Sequence, residues 1–269
     1  MGFWESVFLG LVEGLTEFLP VSSTFHLIFV SKLVGIQEAE FTKLFEVFIQ
    51  SGAILAVVVL YWKRIKTDRA LVTKTLTAFI PTAILGIAAY RTIKDVFFES
   101  TALMIGIFVF VGIVFLGFEA LVKRGLIRPQ KPILELTYRN AIIIGLAQSL
   151  AFLPGVSRAG AVILAMMLLG HRRDDSAAFS FLLAIPTIFS AGAYDLYKTR
   201  NVLLASGPQA WTLVVGFIAA FAVAYFAVKW FIRYLENHTL NLFGIYRLAA
   251  GSLLLLLLLL GKGINLSLP

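Results

Sequence analysis

At 269 residues, 59% of them hydrophobic and only 14% charged, the chain falls well short of the roughly one-quarter charged residues of a soluble domain and reads as an integral membrane protein. The absence of cysteine excludes disulfides and thiolate metal sites. A net charge of +8 is better explained by basic cytoplasmic loops than by nucleic acid, which is not an expected partner. Residues 1–20 carry an early Glu5 and no basic leader, so no cleavable signal peptide is expected.

Residues 3–19 are apolar but interrupted by Glu5, Glu13 and Glu17, and Pro20 stops them short of the about 20 residues a span needs. After P-V-S-S-T comes a second short apolar piece, 25–36. Two half-length segments around a polar turn predict a re-entrant hairpin over 3–36, a shape tolerated at membrane depth only inside protein or beside a wet cavity. The competing shapes are an interfacial amphipathic helix and a distorted full span. Full spans are predicted at 46–62, 71–90 and 101–122. Residues 140–153 and 156–170 are again two short pieces, around Pro154-Gly155, and predict a second hairpin over 140–170. Spans at 177–197, 211–232 and 242–260 complete six, the last being leucine-rich and lipid-facing.

Lys63, Arg64, Lys66 and Arg69 follow the first span; Lys123, Arg124, Arg128, Lys131 and Arg139 follow the third. Both loops therefore read as cytoplasmic. The loop at 91–100 balances Arg91 and Lys94 against Asp95 and Glu99 and reads as external. Three spans separate the hairpins, so they enter from opposite faces, the signature of an inverted-topology repeat with its site near the midplane. The repeats are placed at 3–122 and 140–260 of one membrane domain. Gly10-Leu11 aligns with Gly145-Leu146, Glu13 with Gln148, Phe18-Leu19-Pro20 with Phe152-Leu153-Pro154, and Ser23 with Ser157. The expected fold is all-α and polytopic: six transmembrane helices plus two re-entrant helical hairpins.

Polar groups in such segments are costly and point to function. Glu13 and Glu17 share one helix face at a spacing of four. They suit Mg²⁺ or Ca²⁺, or one holds a proton while the other stays ionised. Gly10 and Gly14 beside them admit a close neighbouring helix. Ser22, Ser23 and Thr24 follow Pro20; they either cap the next helix or help bind a phosphate at its N-terminus. His26 reads as a base, nucleophile or proton donor. Ser157-Arg158 supplies the other half. The arginine requires an anion, either phosphate or the Glu13/Glu17 pair, and Gly155 and Gly160 admit close approach of a ligand. Glu46 and Gln50 read as a supporting layer. Glu119 is expected to reach toward the interface, 171–175 to form a solvated loop, and Arg247 to sit in an ion pair.

The stretches E-G-L-T-E-F-L-P-V-S-S-T-F-H-L and P-G-V-S-R, with F-E-V-F-I-Q-S-G-A-I-L-A-V, T-Y-R-N-A and F-S-F-L-L-A-I-P-T, resemble the bacterial undecaprenyl-diphosphate phosphatase family of the bacitracin-resistance type. The resemblance runs nearly end to end. It implies hydrolysis of a polyprenyl diphosphate to the monophosphate and phosphate, recycling the lipid carrier of cell-wall synthesis. It further implies a bacterial plasma-membrane enzyme, and the loop charges place its site toward the outer side. Glu13 and Glu17 would be the acidic pair, and Ser23 or His26 the nucleophile or acid/base. Arg158 would clamp the diphosphate, with Mg²⁺ or Ca²⁺ assisting. The implied partners are the polyprenyl diphosphate and membrane lipids, with a homodimer as one admissible assembly. Phe25 stands where the family usually has glycine and is expected to reshape the turn before His26. Ala159 and Val162 replace a usual serine and threonine, which leaves that helix little beyond Arg158. The rival reading is a transporter of a polyprenyl phosphate, since inverted repeats with broken helices are transporter architecture. A phosphatase of the S-R-x₅-H-x₃-D type is excluded, the next histidine after Arg158 being His171.

Overall fold

The computed structural model describes residues 1–36, 40–97, 100–205 and 207–260. Glu99 lies outside the described residues, as do the side chains of Arg91, Lys94 and Asp95, so the charge balance expected of 91–100 falls there too. Among the described residues the regular structure is helical, apart from one isolated bridge between Lys131 and His171. In order, α1 is Phe3–Thr16, α2 Ser23–Val34, α3 Glu40–Thr67, α4 Arg69–Phe97, α5 Thr101–Lys123 and α6 Tyr138–Gln148. Then come α7 Arg158–Leu168, α8 Arg173–Lys198, α9 Arg200–Ala205, α10 Ala210–Asn237 and α11 Asn241–Leu259.

Six of these are long and apolar enough to cross a membrane: Glu40–Thr67, Arg69–Ala88, Thr101–Lys123, Arg173–Lys198, Ala210–Asn237 and Asn241–Leu259. This is a multi-pass membrane protein. All six expected spans are found, most with longer ends. Helix α3 starts at Glu40 rather than 46, and α8 at Arg173 rather than 177. The interruptions at Pro81 and Pro186 are absorbed inside α4 and α8.

The short helices α1, α2, α6 and α7 have local causes. Helix α1 gives way to a turn before Pro20, and α2 is ended by Gly35, whose φ of 74° is a left-handed stop. Helix α6 starts at Thr137, whose hydroxyl accepts from Asn140 N. It tightens into a 3₁₀ turn over Ser149–Phe152 before Pro154. Helix α7 starts at Ser157, whose hydroxyl accepts from Gly160 N.

Helix α1 lies against α10, as its small residues require. A methyl group at Gly14 would sit 2.5 Å from Ala220 O, and one at Gly10 2.5 Å from Gly216 O. Aromatic packing fills the centre, with Phe18 edge-on to Phe181 and Phe181 against Phe231.

Two polar expectations are corrected at the end of the molecule where α8 begins. Glu119 does not reach for the interface: it is 4% exposed, pairs with Arg173 through both oxygens at 3.1 and 2.5 Å, and accepts from Leu240 N at 2.9 Å. A partner 54 residues away makes burial affordable for a carboxylate. Residues 171–175 are not a solvated loop either. His171 is fully buried and near Pro132 O, and Asp174 and Asp175 form the first turn of α8, where the helix dipole favours acidic side chains.

Candidate functional site

The turns after α1 and before α7 meet, and a cavity of about 170 Å³ opens between them. Glu17, Ser22, Ser23 and Thr24 line it from the first half; Gly155, Ser157 and Arg158 line it from the second. Gln50 of α3 and Ile188 of α8 complete the wall. The meeting is direct: Ser157 Oγ donates to Leu19 O at 3.4 Å.

Glu17 sits just past the end of α1 and is 8% exposed. One carboxylate oxygen accepts from Ser23 Oγ at 2.5 Å; the other accepts from Arg158 Nη2 at 3.2 Å. Arg158 Nη1 donates to Ser180 O at 2.9 Å, while Nε is buried without a partner. The guanidinium is thus held at two points, and its side chain keeps 11% exposure at the cavity. A hydroxyl aimed at a carboxylate, with a cation on that same carboxylate, can deliver an alkoxide and bind an anion at one place.

Ser22 has φ 69°, the one positive φ at a non-glycine residue among those described. Strained backbone of this kind persists where the surroundings over-determine it. Gly155, φ 94°, faces it across the cavity. A methyl there would meet Met104 O at 2.7 Å, so glycine is required by both conformation and space.

Neither Glu13 nor His26 lines the cavity, although Glu13 stands against Glu17. Glu13 is fully buried one turn before Glu17, does not line the cavity, and has no hydrogen-bond partner for either oxygen. His26 faces α11. Its Nδ1 lies 2.8 Å from Ser22 O and its Nε2 2.5 Å from Tyr246 Oη. A carbonyl only accepts, so Nδ1 carries the hydrogen, and Nε2 of the neutral ring accepts from Tyr246. The serine that Glu17 engages is therefore not the group on His26. Thr24 lines the cavity at its mouth, and Ser157 is occupied as the cap of α7.

Phe25 does not line the cavity. It is 2% exposed and stacks on Phe108 of α5, centroids 3.9 Å apart. Ala159 and Val162 are wholly buried, so α7 presents Arg158 and its cap to the cavity. Gln50 does reach it, whereas Glu46 accepts from Ser31 Oγ at 3.4 Å.

Sequence reasoning missed Tyr246, which carries no local signal, and misassigned Arg247. That guanidinium is fully buried and makes no ion pair among the described residues. It donates to backbone carbonyls: Pro20 at 2.8 Å, Gly155 at 2.9 Å and Phe108 at 3.4 Å. A polar knot around Gln148 was also missed. Its amide donates to Thr82 Oγ1 at 2.9 Å and Thr187 Oγ1 at 3.2 Å, and its alignment with Glu13 was the available signal.

For Mg²⁺ or Ca²⁺, the donor chemistry fits in part. Glu13 offers two unpartnered buried oxygens, the hard donors such ions take. Glu17 oxygens are already engaged. No group of three or more His, Cys, Asp or Glu residues occurs among the described residues, so most of a coordination shell would have to come from substrate and water.

Comparison with known proteins converges on one family. A family model described as "Bacitracin resistance protein BacA" matches residues 6–253. The undecaprenyl-diphosphatase of Sulfurihydrogenibium sp. (strain YO3AOP1) is 47% identical over 249 residues, covering 93% of this chain and 96% of that relative. That of Campylobacter fetus subsp. fetus (strain 82-40) is 44% identical over 263 residues, covering 96% and 100%. That of Aquifex aeolicus (strain VF5) is 42% identical over 253 residues, covering 92% and 95%.

Proposed function

The chain belongs to the bacitracin resistance protein BacA family, and from that premise we infer that it hydrolyses undecaprenyl diphosphate to undecaprenyl phosphate and phosphate. The observation that carries this reading to the residues is the line Ser23 Oγ, Glu17, Arg158 on the wall of one cavity.

In the proposed reaction Ser23 Oγ attacks the terminal phosphorus. Its proton passes to Glu17 Oε2, to which it already donates. The new Oγ–P bond forms as the bond from phosphorus to the bridging oxygen breaks, and undecaprenyl phosphate leaves. Glu17 gives this proton to the departing undecaprenyl phosphate; water then attacks the phosphoseryl phosphorus, Glu17 taking the water proton and returning it to Ser23 Oγ as the Oγ–P bond breaks. Arg158 turns its guanidinium from Glu17 toward the equatorial oxygens, where charge spreads in phosphoryl transfer. His26, with both ring nitrogens engaged away from Ser23, supports the turn rather than the proton transfer.

Glu13, with Glu17 beside it, would hold a Mg²⁺ or Ca²⁺ ion, substrate oxygens and water completing the shell. Such an ion supplies Lewis-acid neutralisation of the phosphates. The two short-helix pairs are proposed as re-entrant hairpins of an inverted-topology repeat. Their half-length helices and the meeting of the two F-L-P turns support this. The cavity is proposed to open to the outer face of the bacterial plasma membrane, the basic ends of α3 and α5 marking the cytoplasmic side.

The test is phosphate release from undecaprenyl diphosphate by purified protein in detergent. Multiple turnovers are expected, lost in Glu17→Gln and Ser23→Ala, with the serine trapped as a phosphoserine on acid quench. Lipid binding without release would sink the hydrolase reading. Release that survives Ser23→Ala would sink the covalent route.

A further inference from the structure

Arg247 is a cation in a fully buried position of the last span, without an ion-pair partner among the described residues. Buried charge of this kind is retained where it does something that an apolar residue cannot. What it touches is specific. Nε donates to Pro20 O, which follows Glu17 in the first turn; Nη1 donates to Gly155 O, which precedes Arg158 in the second. Nη1 also lies 3.4 Å from Phe108 O, and the guanidinium sits 4.7 Å and 5.3 Å from the ring centres of Phe108 and Phe115 on α5. One planar fork therefore fixes both turns to a common point behind the cavity wall.

The neighbouring residue works on the same turn. Tyr246 Oη hydrogen-bonds His26 Nε2, and His26 Nδ1 donates to the carbonyl of Ser22, the residue with φ 69°. Consecutive residues of α11 thus hold the first turn at Pro20 and, through His26, at Ser22. None of these groups lines the cavity except Ser22 and Gly155.

We propose that Arg247, seconded by Tyr246, is a positioning residue for phosphoryl transfer, its guanidinium tying the Glu17–Ser23 turn to the Gly155–Arg158 turn so that base, nucleophile and clamp stand at working distance. The inference rests on the hydrolase reading for its kinetic consequence, not for its structural one. Arg is suited to the task because its fork reaches two carbonyls in fixed directions, which an ammonium on a flexible stem does not. A small misplacement of the reacting groups costs about 10²-fold in rate.

The chain has no cysteine, so spin labels can be placed cleanly at Leu15→Cys on α1 and Leu168→Cys on α7, both exposed. In that background, Arg247→Leu is expected to broaden the inter-label distance distribution. It is also expected to lower kcat by about 10²-fold with KM changed less than about twofold. Arg247→Lys keeps charge and one donor direction, and is expected to recover part of kcat and part of the narrow distribution. Tyr246→Phe is expected to cost less than either. Should Arg247→Leu fail to purify as a folded protein, Arg247→Lys decides alone, with an expected loss of about tenfold in kcat. Unaltered kcat in either folded Arg247 variant overturns the proposal, as does a fall in kcat with an unchanged distance distribution. If the unsubstituted chain releases no phosphate, the hydrolase reading fails, while the distance comparison still tests the tie.

Discussion

The two short-helix regions are aligned in sequence yet differ in how they spend polarity. Around its turn the α1–α2 region carries Glu13, Glu17, Ser22, Ser23 and Thr24; the α6–α7 region carries Gln148, Ser157 and Arg158. At the aligned positions 13 and 148 the contrast is sharpest. Gln148 is 1% exposed and donates to Thr82 and Thr187, so its amide serves helix packing. Glu13 is equally buried, but both of its oxygens lack a partner. A buried carboxylate with neither oxygen paired costs stability, whereas the Gln148 amide is half satisfied: its NH₂ makes two hydrogen bonds and only Oε1 is unpaired. One region keeps a wholly unpaired carboxylate that a ligand or ion can fill, and the other contributes a cation already held at two points.

Substitutions can break or sharpen that contrast. The largest effect is expected at Glu17. Glu17→Gln keeps the shape but removes the acceptor for the Ser23 proton, and phosphate release should fall on the order of 10³-fold, within the usual range for a lost general base. Glu13→Gln makes the first region resemble the second. It should lower kcat/KM on the order of 10²-fold and abolish the dependence of release on added divalent cation, while raising the melting temperature because a buried unsatisfied carboxylate is gone. A melting temperature that falls instead would mean that Glu13 is satisfied in the folded protein and carries no deficit. Arg158→Lys should cost about tenfold or more, expressed mainly in kcat, because an ammonium does not span two phosphate oxygens. Gln148→Leu should leave kcat/KM nearly intact and cost about 1–2 kcal/mol in detergent unfolding, the worth of the hydrogen bonds lost. Loss of turnover there without loss of stability would show that the second region is not merely structural at that position.

Much of the site was legible because the signals were charges out of place. Glu13, Glu17 and Arg158 stand in apolar segments too short to span, and Pro20 and Pro154 mark the breaks. Composition alone sets the number of long apolar helices. What could not be read were partnerships across large separations in sequence. Glu119 looked like an interfacial residue until Arg173 was found beside it, and His26 looked like a base for nearby Ser23 until Tyr246, 220 residues away, took its Nε2. Arg247 looked like half of an ion pair, yet its partners are main-chain carbonyls, which every residue carries and no sequence pattern advertises.

The central claim is that residues from the two short-helix regions form one reaction centre, and a double-mutant cycle in kcat/KM over Glu17→Gln and Arg158→Lys tests it most directly. Groups that act as a unit are strongly non-additive. The account predicts that the double variant is scarcely slower than Glu17→Gln alone. Losses that simply multiply would place Glu17 and Arg158 in independent roles and contradict it.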